Sequence, residues 1–434
     1  LRVMQMFPGS IRWLCRCRAP ACRGWLFVLA PLVAPSSATA ATFTVDTAKD
    51  LPDAVPGDGL CASESGACSL RAAFQEANAL AGADVIDLPR GRYRLTEGEL
   101  AISEDLEVNG VSPRRTAIQG RRRHRLIAVA PGVSASLSNL TLRGGGAADG
   151  AGIYNQGELV LQSLVISRNV VDDGRGGGLY NGGHAELREV VLLGNTALFG
   201  AALYNASAST LELYDVLVRR NRHVVDGGGG GLFNLGQVDI VRSTFLKNQA
   251  RIGFGGGAIY NDGLALITNS TISRNRARIS TGGALVTDMH GVTTLRNVTM
   301  VRNQARFVSG GIANFGVTAV HNSIVAENFN NRVRDINCGG DVPVTSLGYN
   351  LESGAVCSFH GPGDQSNQRP YSRGENLNGG LTPSRKLMSR SSAIDAGDPD
   401  ECPDVDQRGL PRPADGDQNG SSRCDIGSFE VQPE

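Results

Sequence analysis

Seven asparagines, Asn169, Asn195, Asn221, Asn248, Asn275, Asn303 and Asn328, follow one another at intervals of 26, 26, 27, 27, 28 and 25 residues. The residue before each is where chemistry could lie: Arg168, Gly194, Arg220, Lys247, Arg274, Arg302 and Glu327, five of them cationic. Arg222 and Arg276 widen the stripe. If equivalent positions stack one strand apart, like charges recur every ~4.8 Å. Their repulsion must then be relieved by solvent, by neighbouring acids or by an anionic ligand. A repeating polyanion such as a uronate-rich polysaccharide matches a repeating cationic row, and the arginine fork suits carboxylates. The plain alternative is a solvated outward face. The asparagines themselves read as structural, since stacked amides bond to one another along an axis.

A second group is acidic. Asp149, Asp172, Asp173 and Asp226, with His223 nearby, fall in the stretches between the asparagine corner and the next glycine run. Paired carboxylates there would suit glycoside hydrolysis, and calcium beside a basic residue would suit elimination. Two features weaken this: Asp172 and Asp173 are adjacent and so alternate in direction on a strand, and other repeats carry Leu198, Phe199 or Phe254 at similar places. Near the C-terminus, Asp415-Gly416-Asp417-Gln418-Asn419-Gly420 follows the D-x-[DN]-x-[DN]-G opening of a calcium loop. The bidentate twelfth position is Ile426, with Asp425 one residue early. Calcium is therefore the one cofactor suggested, with Asp415, Asp417, Asn419 and Asp425 as its candidate ligands. Asp406 and Arg408 read as an ion pair holding the same region.

These groups need elements to position them. Three residues before each asparagine lies Ile166, Leu192, Val218, Phe245, Ile272, Met300 or Val325, and eight before lies Leu161, Leu187, Leu213, Ile240, Ile267, Leu295 or Val320. A third ladder, Ile153, Leu179, Leu203, Leu232, Ile259, Leu285 and Ile312, follows the glycine-rich stretches. Period-two alternation with glycine and asparagine corners predicts three short strands per repeat and excludes helix. The expected fold is all-β: a parallel β-helix with three strands per coil, right-handed by the general preference of parallel crossovers. Leucine-rich repeats would need denser leucine spacing. Seven asparagines would span about 29 Å, six steps of strand spacing. Exposed strand edges at the ends need covers. Ser69 to Leu80, with Leu70, Ala73, Phe74, Ala77 and Leu80 on one face and Ser69 as N-cap, predicts a cap helix. From about residue 361 the chain turns to proline, aspartate and glycine, an irregular, disulfide-stapled C-terminal lid.

Composition agrees. Fifty-six glycines and 5% aromatics suit thin stacked layers. Forty-two basic residues balance 42 acidic ones, so net charge points to neither nucleic acid nor an anionic membrane. Residues 1–40 read as an export signal: arginines precede the apolar run Trp25 to Ala34, and cleavage is expected after Ala40. That run is too short, and too interrupted by Pro31 and Pro35, to be a transmembrane anchor. Removing Cys15, Cys17 and Cys22 leaves six of nine cysteines, in the local couples Cys61 with Cys68, Cys338 with Cys357 and Cys402 with Cys424. An exported chain is expected to oxidise them. No CxxC pair or histidine cluster supports zinc instead. The expected organisation is a signal at 1–40, an N-terminal cap at 41–100, coils at 101–360 and the lid at 361–434.

At the flanks stand Cys68-Ser69-Leu70-Arg71-Ala72-Ala73, Leu347-Gly348-Tyr349-Asn350-Leu351, Asn378-Gly379-Gly380, Ala393-Ile394-Asp395-Ala396-Gly397, Asp406-Gln407-Arg408-Gly409 and Cys424-Asp425-Ile426-Gly427-Ser428-Phe429-Glu430. In these motifs the chain resembles exported β-helix proteins with an N-terminal Cys-Ser-Leu-Arg-Glu-Ala segment and a C-terminal choice-of-anchor Q region. The resemblance covers most of the mature chain and implies a scaffold associated with cell envelopes, without implying a chemistry. Ala72 replaces the family's glutamate, which removes the reciprocal bond of a capping box. No apolar tail follows Glu430, which favours free secretion over tethering. The sequence thus ranks binding of an extracellular acidic polysaccharide first. A pectate-lyase-like lyase or glycoside hydrolase comes second, and a passive structural surface protein third. The expected location is extracellular or at a bacterial cell surface.

Overall fold

The computed structural model describes residues 40–331 and 333–433, so the export-signal reading of 1–40 lies almost wholly outside the described residues. The chain forms a parallel β-helix built from parallel sheets of 12, 11, 10 and 6 strands. The first sheet holds strands such as Glu158–Gln162, the second strands such as Val165–Ser167, and the third strands such as Ile153–Asn155. The three apolar ladders meet in register: Ile166 pairs with Leu192, Leu161 with Leu187 and Ile153 with Leu179, and the same holds coil after coil. Every one of these side chains is buried. Strand hydrogen bonding and axial stacking of identical apolar positions thus form one continuous core.

The six-stranded sheet departs from three strands per coil. Its members Thr196–Phe199, Arg222–Gly228, Gln249–Gly255, Arg276–Ile279, Gln304–Ala305 and Phe329–Asn330 fall where loops are expected. The reason is visible in its inward column, Ala197, His223, Ala250, Ala277 and Ala305. Four alanines lie against the narrow corner without the branched side chains that announce a strand.

The asparagine column closes the corner between the second and fourth sheets. From Asn195 on, each carboxamide oxygen accepts from the backbone N–H and the side-chain N–H of the preceding asparagine: Asn221 N and Nδ2 reach Asn248 Oδ1 at 3.0 Å each. Each Nδ2 also donates to a carbonyl of the coil before, as Asn248 does to Val218 at 2.8 Å. A second amide column, Asn155, Asn181, Asn205, Asn234 and Asn261, closes the corner after the third sheet with side-chain bonds of 2.7–2.8 Å.

At the N-terminal end, helix α1 (Leu70–Ala79) buries Leu70, Ala73, Phe74 and Ala77, and Ser69 Oγ accepts from Ala72 N at 3.0 Å. Asn78 covers an open edge, donating to Ala101 O and accepting from Ser103 N, both at 2.8 Å. Arg71 of the helix is tied to Asp50 at 2.8 Å. Burial works against ionisation of Asp50, but Arg71 and the amides of Thr96 and Glu97 outweigh it and hold the carboxyl below its usual range. A carboxyl with a depressed folded-state pKa stabilises above its unfolded pKa, and that stability is lost as pH falls through the folded value. Asp50→Asn is expected to cost about 3 kcal/mol at neutral pH, the scale for breaking a largely buried ion pair. The difference from wild type should shrink below about pH 4, near the unfolded carboxylate pKa. Urea melts at pH 7 and pH 3 check this, and an equal difference at both would refute it.

The C-terminal segment is not a plug over the last coil. It runs back along the outward face of the second sheet, whose outward residues change from Val165, Val191 and Leu217 to Thr244, Thr271 and Thr299. These hydroxyls bind the lid: Thr244 donates to Pro383 O (2.7 Å), Thr271 to Gln407 Oε1 (2.6 Å), and Thr299 accepts from Ser428 N (3.0 Å). Leu387, Ala393, Ile394 and Ile426 pack on Val301, Ile324, Ala326 and Leu351. Disulfides join Cys61 to Cys68, Cys338 to Cys357 and Cys402 to Cys424.

Candidate functional site

The residue before each column asparagine has left-handed backbone: φ is 55° at Arg168 and Arg220, 57° at Lys247, 55° at Arg274 and 58° at Arg302. The chain must turn there to bring the next asparagine inward, so these side chains project from the corner. Backbone bonds keep them in one column: Arg220 N to Leu246 O, Lys247 N to Ser273 O, Arg274 N to Val301 O. All five cations are exposed. Arg222 and Arg276 lie in a neighbouring column on the fourth sheet, with Gln249 between them, and are exposed too.

The fourth sheet adds a column that the sequence reading missed. Arg251 and Arg278 are exposed and lie level with one another, two residues beyond Gln249 and Arg276, and exposed Arg306 follows directly on the strand Gln304–Ala305. Each sits four residues after a member of the corner row. That offset was the available signal, but it has meaning only if the intervening stretch is a strand. Phe254 and Ile279 are exposed on the same sheet, and Phe307, just past the end of its strand Gln304–Ala305, is exposed with the Arg306 guanidinium 5.5 Å from its ring centre. Nine cations thus share one face across four coils: Arg220, Arg222, Lys247, Arg251, Arg274, Arg276, Arg278, Arg302 and Arg306. Two acids touch them. Glu375 of the lid pairs with Arg274 (3.1 Å) and Glu327 with Arg302 (2.6 Å). Burial opposes ionisation of Glu375, yet Ser273 and Arg385 outweigh it and keep the carboxyl below its usual range. Among the described residues, Arg220, Arg222, Lys247, Arg251, Arg276 and Arg278 have no acidic partner. Arg168 stands apart from this face, separated from Arg220 by the Gly194 coil.

The acids singled out in sequence do not converge. Asp149 is held by Arg175 through bonds of 2.7 and 3.0 Å, and Arg175 lies over the rings of Tyr180 and Tyr204. Asp172 and Asp173 are exposed beside Arg122 and Arg123 in a surface hollow of about 500 Å³. His223 is buried in the wall, its Nε2 2.9 Å from Gly227 N and its Nδ1 3.1 Å from Arg251 N. Asp226 belongs to Arg222–Gly228, but its side chain lies outside the described residues. The calcium ligand set also changes. Asp425 is buried in the lid, and its carboxylate is taken up by Asp395 N (2.8 Å) and Val431 N (2.6 Å). Asp395, Asp415 and Asp417 instead bring carboxylate oxygens within 4.8 Å of one another, while Asn419 Oδ1 accepts from Ser421 N. Asp425 belongs with Asp406, Arg408, Arg412 and Glu430 in a polar centre of the lid. Burial and the neighbouring Glu430 push its carboxyl well above the usual range. Asp406 and Arg408 do form the expected ion pair, at 2.7 Å.

A broader cleft of about 790 Å³ lies on the outward face of the first sheet, with Leu264, Leu266 and Val292 on its floor and lid residues Glu401 and Pro403 at its rim. Asp239 lines it, directly opposite Glu212 of the preceding coil. Burial and the charge of Glu212 raise the Asp239 carboxyl. Glu212 accepts from Tyr214 OH at 2.8 Å, and this bond, with burial, lifts the phenol to about 12.

No family model matches this chain, and no curated protein does. Solved structures do. Pectate lyase Pel9A is similar at 12% identity and a TM-score of 0.43, over 91% of this chain and 98% of its own. The PL6 family alginate lyase AlyGC gives 11% and 0.33, over 78% and 57%. The pectin methylesterase PemA from Erwinia chrysanthemi gives 13% and 0.29, over 64% and 81%.

Proposed function

We propose that this is an extracellular protein that binds an acidic polysaccharide along the corner row and the fourth sheet. The observation that carries the reading is the clustering of nine exposed cations on one face of a chain with no net charge. Coil stacking holds them at a fixed pitch, and arginine dominates, which suits forked contacts to carboxylates. Phe254 and Phe307 add apolar surface for sugar rings. The disulfides suit an oxidising compartment, and the flanking motifs support a secreted, envelope-associated role. Purified protein is expected to be retained on immobilised polygalacturonate or alginate and released by salt, because exposed charges are screened within about 10 Å at 0.1 M. Equal passage through acidic and neutral glycan columns would eliminate this function.

A second reading, glycoside hydrolysis, is favoured by two carboxylates side by side on adjacent coils, Glu212 and Asp239, the latter lining the 790 Å³ cleft. New reducing ends that vanish in Asp239→Asn would support it. Binding without any cleavage leaves the first reading alone.

A further inference from the structure

The cationic face is closed at one end. After Asn328 the chain does not wind another full coil before the next column amide: Asn337 takes that place only nine residues later, accepting from Asn328 N at 3.2 Å and Asn328 Nδ2 at 3.1 Å. Among the described residues between them, Phe329 is bridged antiparallel to Arg334 and Asn330 N is bonded to Val333 O. This hairpin ends the fourth sheet. Arg334 on the hairpin and Arg369 on the lid complete a pocket of about 560 Å³ with Arg274, Arg302 and Phe329. That volume lies within the ~300–1,000 Å³ of ordinary small-ligand sites.

Four guanidinium groups meet three carboxylates here. Glu375 pairs with Arg274 and Glu327 with Arg302, and Asp335 accepts from Ser353 Oγ at 2.6 Å. Arg334 and Arg369 are exposed and, among the described residues, carry no acidic partner. The stacked row from Arg220 through Lys247 and Arg274 to Arg302 reaches this pocket at its last coil, and the residue before the next column amide is Ile336, not a cation.

Resting on the binding function proposed above, we infer that this pocket receives the terminal uronate of the chain, so that the protein recognises chain ends and not only internal stretches. Arg334 and Arg369 hold the terminal carboxylate, and Arg220 and Lys247 hold the residues behind it.

The test is titration calorimetry with galacturonate oligomers of defined length and with long polygalacturonate, using wild type, Arg334→Ala/Arg369→Ala and Arg220→Ala/Lys247→Ala. The expected stoichiometry is one protein per chain, whatever its length. The pocket variant should lose about tenfold in affinity for a trimer, the scale of one charge-assisted contact. Arg334→Lys/Arg369→Lys should recover only part of it, since a point charge replaces a fork. Stoichiometry rising in proportion to length, with an unaffected pocket variant and a weakened row variant, would overturn end recognition and leave side-on binding standing. No heat with any acidic glycan would instead overturn the proposed function and this inference with it. Both pocket arginines are exposed, so circular dichroism should match wild type.

Discussion

Asn248→Ala is expected to lower the stability of the middle coils by roughly 3–9 kcal/mol, taking about 1–3 kcal/mol for each of three buried hydrogen bonds broken. Three bonds are lost: those from Asn221 N and Asn221 Nδ2 to Asn248 Oδ1, the Nδ2 keeping only its bond to Leu192 O, and that from Asn248 Nδ2 to the Val218 carbonyl. All are internal to the wall and no solvent can replace the amide. The backbone N–H of Asn248 keeps its bond to Asn275 Oδ1, so the defect is local to one corner of one coil. In a repeat structure each coil is supported by its neighbours alone, so a break in one interface uncouples the halves. Hydrogen exchange should therefore rise in residues 217–250 before the N-terminal coils respond, and chemical melts should broaden or split. Gln237→Ala, on an exposed position of the first sheet, is the control and should change stability by less than about 0.5 kcal/mol. An Asn248→Ala protein that melts with wild type would mean that the amide column does not hold the solenoid together.

Charge reversal on the face is expected to have the largest effect on binding. Arg220→Glu/Lys247→Glu/Arg278→Glu replaces three exposed cations that lack acidic partners, so it breaks no native ion pair. Affinity for polygalacturonate should fall at least ~100-fold, on about 1 kcal/mol for each lost contact before repulsion is counted. The remaining binding should depend less steeply on salt, since fewer screened contacts contribute. Reversing Lys49, Arg92 and Arg94, also exposed but in the first part of the fold, makes the same change in net charge elsewhere. That control should bind within a few-fold of wild type. If both triple variants weaken binding equally, attraction belongs to overall charge and no face is specific.

The corner row was legible because the asparagine interval marks the coil, and anything at a fixed offset from it must stack. The same rule applied to Arg251, Arg278 and Arg306, but they lie in a stretch whose inward positions are Ala250, Ala277 and Ala305. Alanine contributes little hydrophobic contrast, so the alternation that identifies strands is nearly silent there. Their alignment became visible only when the fourth sheet was. The acids failed for another reason. Asp149 reads as available until Arg175, 26 residues on, is brought beside it one coil later, and His223 reads as a surface base until it is found in the alanine column facing inward.

By itself, the sequence determined the coil, its three apolar ladders, its amide corner, the cap helix and the three disulfides. The coil, ladders and corner follow from alternation and repetition at one interval, which strand pairing converts directly into contact, the helix follows from its own helical spacing, and the disulfides follow from cysteines close together in the chain. Tertiary structure alone decided where the lid lies, which cations remain unpaired and where the cationic face ends. Those depend on contacts such as Thr244 with Pro383, or Arg274 with Glu375, between segments more than 100 residues apart that share no period. Nothing in a non-repeating stretch states which surface it will cover, because that is settled by complementary side chains that meet only once the coil exists.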